Sequence, residues 1–100
     1  MAEIVWGSPA FRQVEALPPA VAFDIVRHVD VLEALPEMGA PLISQDAGLR
    51  KCRQLIVKRI YRVVYEYDET DGKVYILAVQ HCRRKLPSGR DIKRRQAPDE

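Results

Sequence analysis

Positively charged side chains are concentrated in one stretch of the sequence, between Arg50 and Arg62. This stretch holds six Lys or Arg residues and no Asp or Glu. It lies in a longer segment, 48–84, that reads as three β-strands and ends with a histidine and two arginines within residues 81–84. Fixed cations at this density attract an anionic target by a Coulomb force that salt weakens. The pattern indicates either a nucleic acid or an acidic protein surface as the target.

The two halves of the chain carry opposite net charge, although the whole chain has a net charge of only +2. Residues 1–49 contain two basic and seven acidic side chains, a net charge of −5. Residues 50–100 contain fourteen basic and seven acidic side chains, a net charge of +7. We therefore expect the two halves to face different partners, with the basic half toward the anionic one.

Length and composition favour one small domain. A chain of 100 residues with 47% hydrophobic residues can build a single core of modest size. The sequence has no apolar stretch of about 18 residues and no basic-then-apolar leader. We expect a soluble, cytoplasmic protein that makes no contact with a membrane.

The cysteines indicate neither a disulfide framework nor a zinc site. Cys52 and Cys82 lie far apart and belong to no CxxC motif or paired-histidine pattern. We interpret both as reduced thiols. The sequence predicts no bound metal and no cofactor.

The first 35 residues predict a strand and a helical hairpin. Residues 4–6 form a short apolar run of strand type, and Ser8 followed by Pro9 is typical of an N-cap and a first helical position. A second helix is expected to start at Pro19. The apolar positions recur every three or four residues: Phe11, Val14 and Leu17 in the first helix, then Ala22, Ile25, Val26, Val29, Leu32 and Leu35.

The rest of the chain predicts a loop, a sheet and a tail. Residues 36–48 lack periodicity and contain Pro and Gly breakers, so they are expected to form a loop. Residues 59–67 and 73–82 read as two long strands joined by a tight turn. The fold class is therefore α+β, with an N-terminal helical hairpin packed on a four-stranded, mainly antiparallel sheet. We place the domain at residues 1–86 and a basic, flexible tail at 87–100.

The order of these elements and three short motifs resemble the RelE/ParE toxin superfamily of bacterial type II toxin–antitoxin systems. The motifs are GLR at 48–50, YRVVYEYD at 61–68 and VQHCRR at 79–84. The resemblance covers roughly residues 3–86. It implies a small cytoplasmic toxin that a cognate antitoxin holds inactive and that stops growth when released.

One activity of this superfamily is the RelE-like cleavage of mRNA in the ribosomal A site. Cleavage needs a base for the 2′-hydroxyl proton, cations for the charge on phosphorus and an acid for the leaving oxygen. The resemblance gives Arg62 the charge-stabilising role and makes His81 the candidate acid or base. It assigns the contacts with backbone phosphates to three residues on the preceding strand, Arg50, Lys51 and Arg53.

The other activity is the ParE-like inhibition of DNA gyrase, in which nothing is cut. ParE-like members commonly end their last strand with a histidine, one spacer and basic residues, and His81, Arg83 and Arg84 fit that spacing. Many RelE-like nucleases keep a late aromatic residue near the catalytic arginine, whereas this chain has no Tyr after Tyr75. We therefore favour gyrase as the target over the ribosome with mRNA. A degenerate, non-toxic binding module is the third interpretation.

The register of the last hairpin decides which side chains join Arg62. A four-residue turn over 69–72 would place Arg62 opposite Val79, on the same face as His81 and Arg83. A three-residue loop ending in a bulged Gly72 would instead place it on the face of residues 80, 82 and 84. The sequence leaves both registers open.

Overall fold

Two helices packed on one face of a mixed sheet form the architecture of the computed structural model, which describes residues 1–88. The helices and strands are β1 (Glu3–Trp6), α1 (Ser8–Glu15), α2 (Pro19–Asp30), β2 (Ala40–Pro41), β3 (Cys52–Val57), β4 (Tyr61–Asp68) and β5 (Lys73–His81). Short 3₁₀ helices span Val31–Glu33 and Ala47–Leu49. The strand order is β1-β5-β4-β3-β2, with β1 parallel to β5 and the other pairs antiparallel. The predicted basic tail lies outside the described residues from residue 89 onward.

The α+β class is confirmed, but the predicted count of four strands is wrong. The fifth strand is β2, inside the predicted loop 36–48, where Ala40 and Pro41 pair with Gln54 and Arg53. Two residues are too few to show the alternation by which a strand is recognised in a sequence. The strand predicted from residue 59 begins at Tyr61, because the turn before it takes up the two preceding residues.

The helical hairpin follows the predicted pattern with two corrections. Gly7 is the N-cap of α1, so Ser8 is already helical and makes no side-chain cap. Ala10 and Val14 are the buried residues of α1, whereas Phe11 remains 43% exposed. The second helix starts at Pro19 as predicted. Its buried contacts come from the predicted stripe: Ile25 and Val29, continued by Leu32.

Each face of the sheet carries its own apolar cluster. The helices cover the first face, where their buried side chains pack on Leu55, Val57, Val63, Tyr65, Val74, Ile76 and Val79. The opposite face has a smaller cluster of Cys52, Val64, Tyr75, Leu77 and Ala78, covered by Leu42, Leu49 and Leu86 from outside the strands. Burial on both faces explains why β5 reads as a nearly continuous apolar run over residues 74–79.

Tyr65 fixes the loop that leads into β2. Its ring is fully buried, and its hydroxyl accepts a hydrogen bond from the Gly39 N–H at 2.8 Å and donates one to the Pro36 carbonyl at 2.9 Å. A Cβ on Gly39 would lie 2.7 Å from both the Gln54 carbonyl oxygen and the Tyr65 hydroxyl, so glycine is required there. One aromatic residue on β4 thus holds the loop against the sheet.

Tyr65→Phe is expected to lower the free energy of unfolding by about 2 kcal/mol, because it leaves a buried N–H and a carbonyl without a partner. Urea denaturation measures the change. Tyr67→Phe is the matched control on the same strand face, and we expect it to change stability by less than about 0.5 kcal/mol. Equal losses in the two variants would contradict the role of the Tyr65 hydroxyl.

Burial raises the pKa of the Tyr65 phenol, despite the opposing hydrogen bond from Gly39. The folded state therefore holds this proton more tightly than the unfolded state. The corresponding stability is complete below the unfolded-state pKa of about 10 and is lost as the pH rises through the folded-state value.

The turn between β3 and β4 is strained. Its two central residues, Lys58 and Arg59, have φ angles of 53° and 62°, and the Ile60 N–H donates to the Val57 carbonyl at 3.1 Å. Positive φ at both positions is the pattern of a type I′ turn, which favours Asn and Gly. A left-handed residue with a side chain costs on the order of 1 kcal/mol. The chain therefore keeps two long cations where an Asn-Gly pair would be more stable.

Candidate target-binding site

A bulge in the β4–β5 hairpin sets the position of Arg62. Asp68 faces Lys73, as a four-residue turn predicts, but the register shifts between Val64 and Tyr65. Tyr65 faces Ile76 and Val64 faces Ala78, so residue 77 is the extra one in β5. Beyond this bulge Arg62 faces Gln80.

Arg62 and His81 consequently lie on opposite faces of the sheet. His81 faces Tyr61 on the side that carries the helices, while Arg62 shares the other face with Gln80. The register that grouped Arg62 with His81 and Arg83 is therefore wrong. The alternative placed Arg62 correctly but for a different reason, since the extra residue lies in the middle of β5 and not at Gly72.

Arg62 is held by the segment that follows β5. Its Nη2 donates to the carbonyl of Cys82 at 2.9 Å and to that of Arg84 at 3.0 Å, and its Nη1 donates to Gln54 Oε1 at 3.4 Å. We call these four residues together with Gln80 the Arg62 network. All three of these hydrogen bonds from the half-buried guanidinium are thus made to groups of its own chain.

The Arg62 network is not saturated. Among the described residues, neither the buried Arg62 Nε nor the buried Gln80 Oε1 has a hydrogen-bond partner. One is a donor and the other an acceptor, and the two residues face each other across β4 and β5. Such buried polar atoms are rare in folded proteins and call for a functional or conformational explanation.

His81 is placed to donate a hydrogen bond through Nε2, while its other ring nitrogen is already occupied within the chain. Its Nδ1 accepts a hydrogen bond from the Arg83 N–H at 3.0 Å, which selects the neutral tautomer with the proton on Nε2. Its ring lies edge-on to Tyr61, with 5.8 Å between the ring centroids. The geometry suits a hydrogen-bond donor to a partner better than a general base.

A half-open cavity of about 330 Å³ lies beside His81. Its walls come from the end of α1 and the end of β5, including Gln13, Leu17, His81 and Arg84. Gln13 closes the outer edge of β5, because its Oε1 accepts the Val79 N–H at 2.7 Å beyond the point where β1 stops pairing. The cavity is therefore lined by both polar and apolar side chains.

The other predicted cations divide into two groups. Arg53 binds groups of its own chain. Its Nη1 donates to the Gly39 carbonyl at 2.7 Å, and its Nη2 lies 3.6 Å from the Glu37 carboxylate. The exposed group consists of Arg50, Lys51, Arg83 and Arg84. Arg50 and Lys51 precede β3 instead of lying on it, which corrects their predicted location. The exposed group is the one that can meet an anionic partner.

Sequence reasoning missed four polar residues in and around this site. Gln54 and Gln80 flank Arg62, Gln13 caps β5, and Glu66 is buried at 3% exposure on the face of Arg62. Uncharged glutamines carry no signal by themselves. Only the pairing of β4 with both β3 and β5 reveals that two of them adjoin Arg62.

The described part of the chain offers no set of three or more side chains that could hold a metal ion. Neither cysteine forms a disulfide in the described part of the chain, where Cys52 is buried and Cys82 half-buried. No helix within residues 1–88 has the length and apolar character needed to span a membrane.

Comparison with known families gives one match over most of the chain. The family model for the ParE toxin of the type II toxin–antitoxin system parDE matches residues 6–86. No curated protein matched the sequence.

Several solved structures share the fold. The RelBE2 toxin–antitoxin complex from Mycobacterium tuberculosis aligns at 26% identity and a TM-score of 0.68, covering 80% of this chain and 96% of that one. The intact RelBE toxin–antitoxin complex of E. coli aligns at 16% identity and a TM-score of 0.69, with coverage of 84% and 100%. The isolated E. coli RelE toxin aligns at 15% identity and a TM-score of 0.68, covering 85% of this chain and 88% of that one. Because the two E. coli structures share only 16% and 15% sequence identity with this chain, their similarity shows a common fold and nothing more.

Proposed function

This chain belongs to the ParE toxin family of type II toxin–antitoxin systems, and we propose that it arrests growth by inhibiting DNA gyrase. The chain is thus the toxin of a two-protein module. The gyrase target follows the ParE-like interpretation of residues 79–84. In this proposal the exposed cations after β5 make the contact with gyrase, and no covalent bond of the target is cut by the toxin.

The choice between gyrase inhibition and RNA cleavage rests on the separation of Arg62 and His81. Cleavage of RNA requires the base, the acid and the stabilising cations to surround one phosphate. Here the two candidate catalytic residues lie on opposite faces of the sheet, and the guanidinium of Arg62 is directed at the carbonyls of Cys82 and Arg84. This arrangement supports a binding toxin over an endonuclease.

The cognate antitoxin is the second partner. The solved complexes that share this fold are toxin–antitoxin pairs, and the charge of the chain fits such a pairing. The basic half of the chain, with a net charge of +7, offers a surface that an acidic antitoxin segment would neutralise. We propose that antitoxin binding and gyrase binding compete for these cations, and that the complex forms in the cytoplasm.

Induced expression of the chain in bacteria, without its antitoxin, tests the target. The expected result is loss of negative supercoiling in a reporter plasmid before the rate of amino-acid incorporation falls. Supercoiling is measured on chloroquine gels and translation by pulse labelling in the same culture. Coexpression of the protein encoded by the adjacent gene is the control, and it should restore growth.

Two outcomes would contradict the proposal. An immediate fall in translation, with mRNA cut at codon positions and plasmid supercoiling unchanged, would replace gyrase by the ribosome. Normal growth at high expression of soluble, folded protein would instead indicate a non-toxic binding module.

A further inference from the structure

The tip of the β3–β4 hairpin combines strain, charge and an apolar cavity. Lys58 and Arg59 occupy its two left-handed positions, although Asn and Gly suit such positions better. Strained backbone positions cluster at functional sites, where a particular side chain is needed. Both residues are exposed cations.

An apolar cavity of about 220 Å³ adjoins the tip. It opens between α2 and the hairpin, and its walls include Ala20, Val21, Val57 and Ile60. Ile60 is 45% exposed and therefore presents apolar surface beside the cavity. The cavity has room for one or two aliphatic side chains from outside.

Lys58 is already oriented toward this cavity. Its Nζ lies 2.8 Å from Asp24 Oδ2, and its side chain is still 62% exposed. The hydrogen bond from Lys58 holds the pKa of the Asp24 carboxyl below its usual range. Asp24 also lines the cavity, so the ion pair holds the ammonium beside it, and Arg59 follows Lys58 in the chain.

We propose that this tip is a protein-docking surface for an acidic segment with an aliphatic anchor. The anchor enters the cavity beside Ile60, and the carboxylates of the segment pair with Arg59 and share Lys58 with Asp24. The surface lies on the side of the sheet that carries the helices, whereas the Arg62 side chain lies on the other side, and the proposal does not depend on which target the toxin has.

A peptide fits this surface better than RNA does. Single-stranded RNA is usually held by stacking of its bases on flat aromatic or guanidinium surfaces. The cavity is lined mainly by Ala, Val and Ile, and its one aromatic residue, Tyr61, is half-buried against the core. Aliphatic walls next to two cations match an apolar side chain flanked by Asp or Glu.

The probe is a synthetic twelve-residue peptide with three leucines, each flanked by Asp or Glu, titrated into the full-length ¹⁵N-labelled chain. The expected chemical-shift changes fall on residues 20–24 and 57–61. Two control peptides replace the leucines by serine or the acidic residues by lysine, and both should bind more weakly. A twelve-nucleotide RNA is titrated in parallel.

The double variant Lys58→Asn/Arg59→Gly separates docking from stability. Removal of two exposed charge pairs should weaken the leucine-acidic peptide about fivefold. Relief of the left-handed strain outweighs loss of the exposed Lys58–Asp24 ion pair and should raise the melting temperature by about 5 °C. Arg12→Gln removes an exposed cation from α1 and should change neither quantity.

Ile60→Ala provides a second, uncharged test of the same surface. It should weaken the peptide while the distant, exposed Ile43→Ala leaves binding unchanged. Equal affinity of the parent chain and both tip variants would overturn the proposal. So would an RNA that shifts the tip signals at lower concentration than the peptide, since the tip would then bind nucleic acid.

Discussion

Arg62→Ala is expected to reduce gyrase inhibition about 100-fold and to lower the free energy of unfolding by about 3 kcal/mol. In our proposal Arg62 is a positioning residue. Its guanidinium bonds to the carbonyls of Cys82 and Arg84, so it fixes the segment that carries the exposed Arg83 and Arg84. Loss of these bonds would leave the contact cations attached to a poorly placed chain.

The loss of stability departs from what the sequence suggests. From the sequence, Arg62 is a strand cation outside the apolar core, and its replacement is expected to leave the fold intact. The structure gives Arg62 three hydrogen bonds to groups of its own chain, and bonds from a charged donor contribute about 1.5–3 kcal/mol each when buried. Partial exposure of the guanidinium reduces the sum, which leads to the figure of about 3 kcal/mol.

Two control variants separate charge from position. Arg62→Lys keeps the positive charge but cannot reach both carbonyls and Gln54 with one ammonium group. We expect it to recover less than half of the lost stability and little inhibition. Arg83→Ala removes an exposed cation and should reduce inhibition about tenfold with no change in unfolding. Urea denaturation and a supercoiling assay with purified gyrase measure both quantities.

Full rescue by Arg62→Lys would contradict the positioning role, because charge alone would then be sufficient. An Arg62→Ala variant with parental stability and parental inhibition would contradict it as well. In that case the hydrogen bonds to Cys82 and Arg84 would be incidental.

The sequence was sufficient for the elements that have strong periodicity. The α2 stripe of Ile25 and Val29 and the start at Pro19 follow from helical spacing and proline chemistry. Strands β3 to β5 follow from their β-branched and aromatic residues. Strand β2 was missed because its two residues are held by pairing with β3, which a local pattern does not contain.

The candidate site was predictable in composition but not in geometry. The cations and His81 stand out by type alone. Their grouping depends on the bulge between Val64 and Tyr65, and none of the residues there carries a signal for a bulge such as glycine. One extra residue in β5 moves every later side chain of that strand to the other face. A prediction that omits this bulge therefore places Arg62 and His81 on the same face, although they lie on opposite faces.

The fate of Arg53 shows a second limit of sequence reasoning. By composition it belongs with Arg50 and Lys51 as a ligand for phosphate. In the structure its guanidinium bonds to the Gly39 carbonyl and lies near Glu37, because β2 and the preceding loop pack against β3. The partner of a cation is a tertiary property when that partner comes from a loop without a pattern.

His81→Ala distinguishes the two mechanisms by the size of its effect. As a general acid or base, His81 would contribute about 10²–10⁴-fold to the rate of mRNA cleavage. As a hydrogen-bond donor at a protein interface, it contributes about tenfold to affinity. We expect the second effect, measured as a tenfold rise in the concentration of toxin that half-inhibits gyrase. Neither the parent chain nor His81→Ala should cleave mRNA on translating ribosomes.

The geometry of His81 gives this expectation its direction. Nδ1 is engaged by the Arg83 N–H, and Tyr61 covers one edge of the ring, so Nε2–H remains to donate to a partner. His81→Gln keeps a donor near that position and should recover part of the inhibition, whereas a nuclease would not recover, because an amide does not exchange protons near neutral pH. His28→Ala is the control, since His28 donates only within α2, to the Asp24 carbonyl. Codon-specific cleavage by the parent chain that falls at least 100-fold in His81→Ala and stays low in His81→Gln would establish the ribosomal endonuclease in place of the gyrase inhibitor.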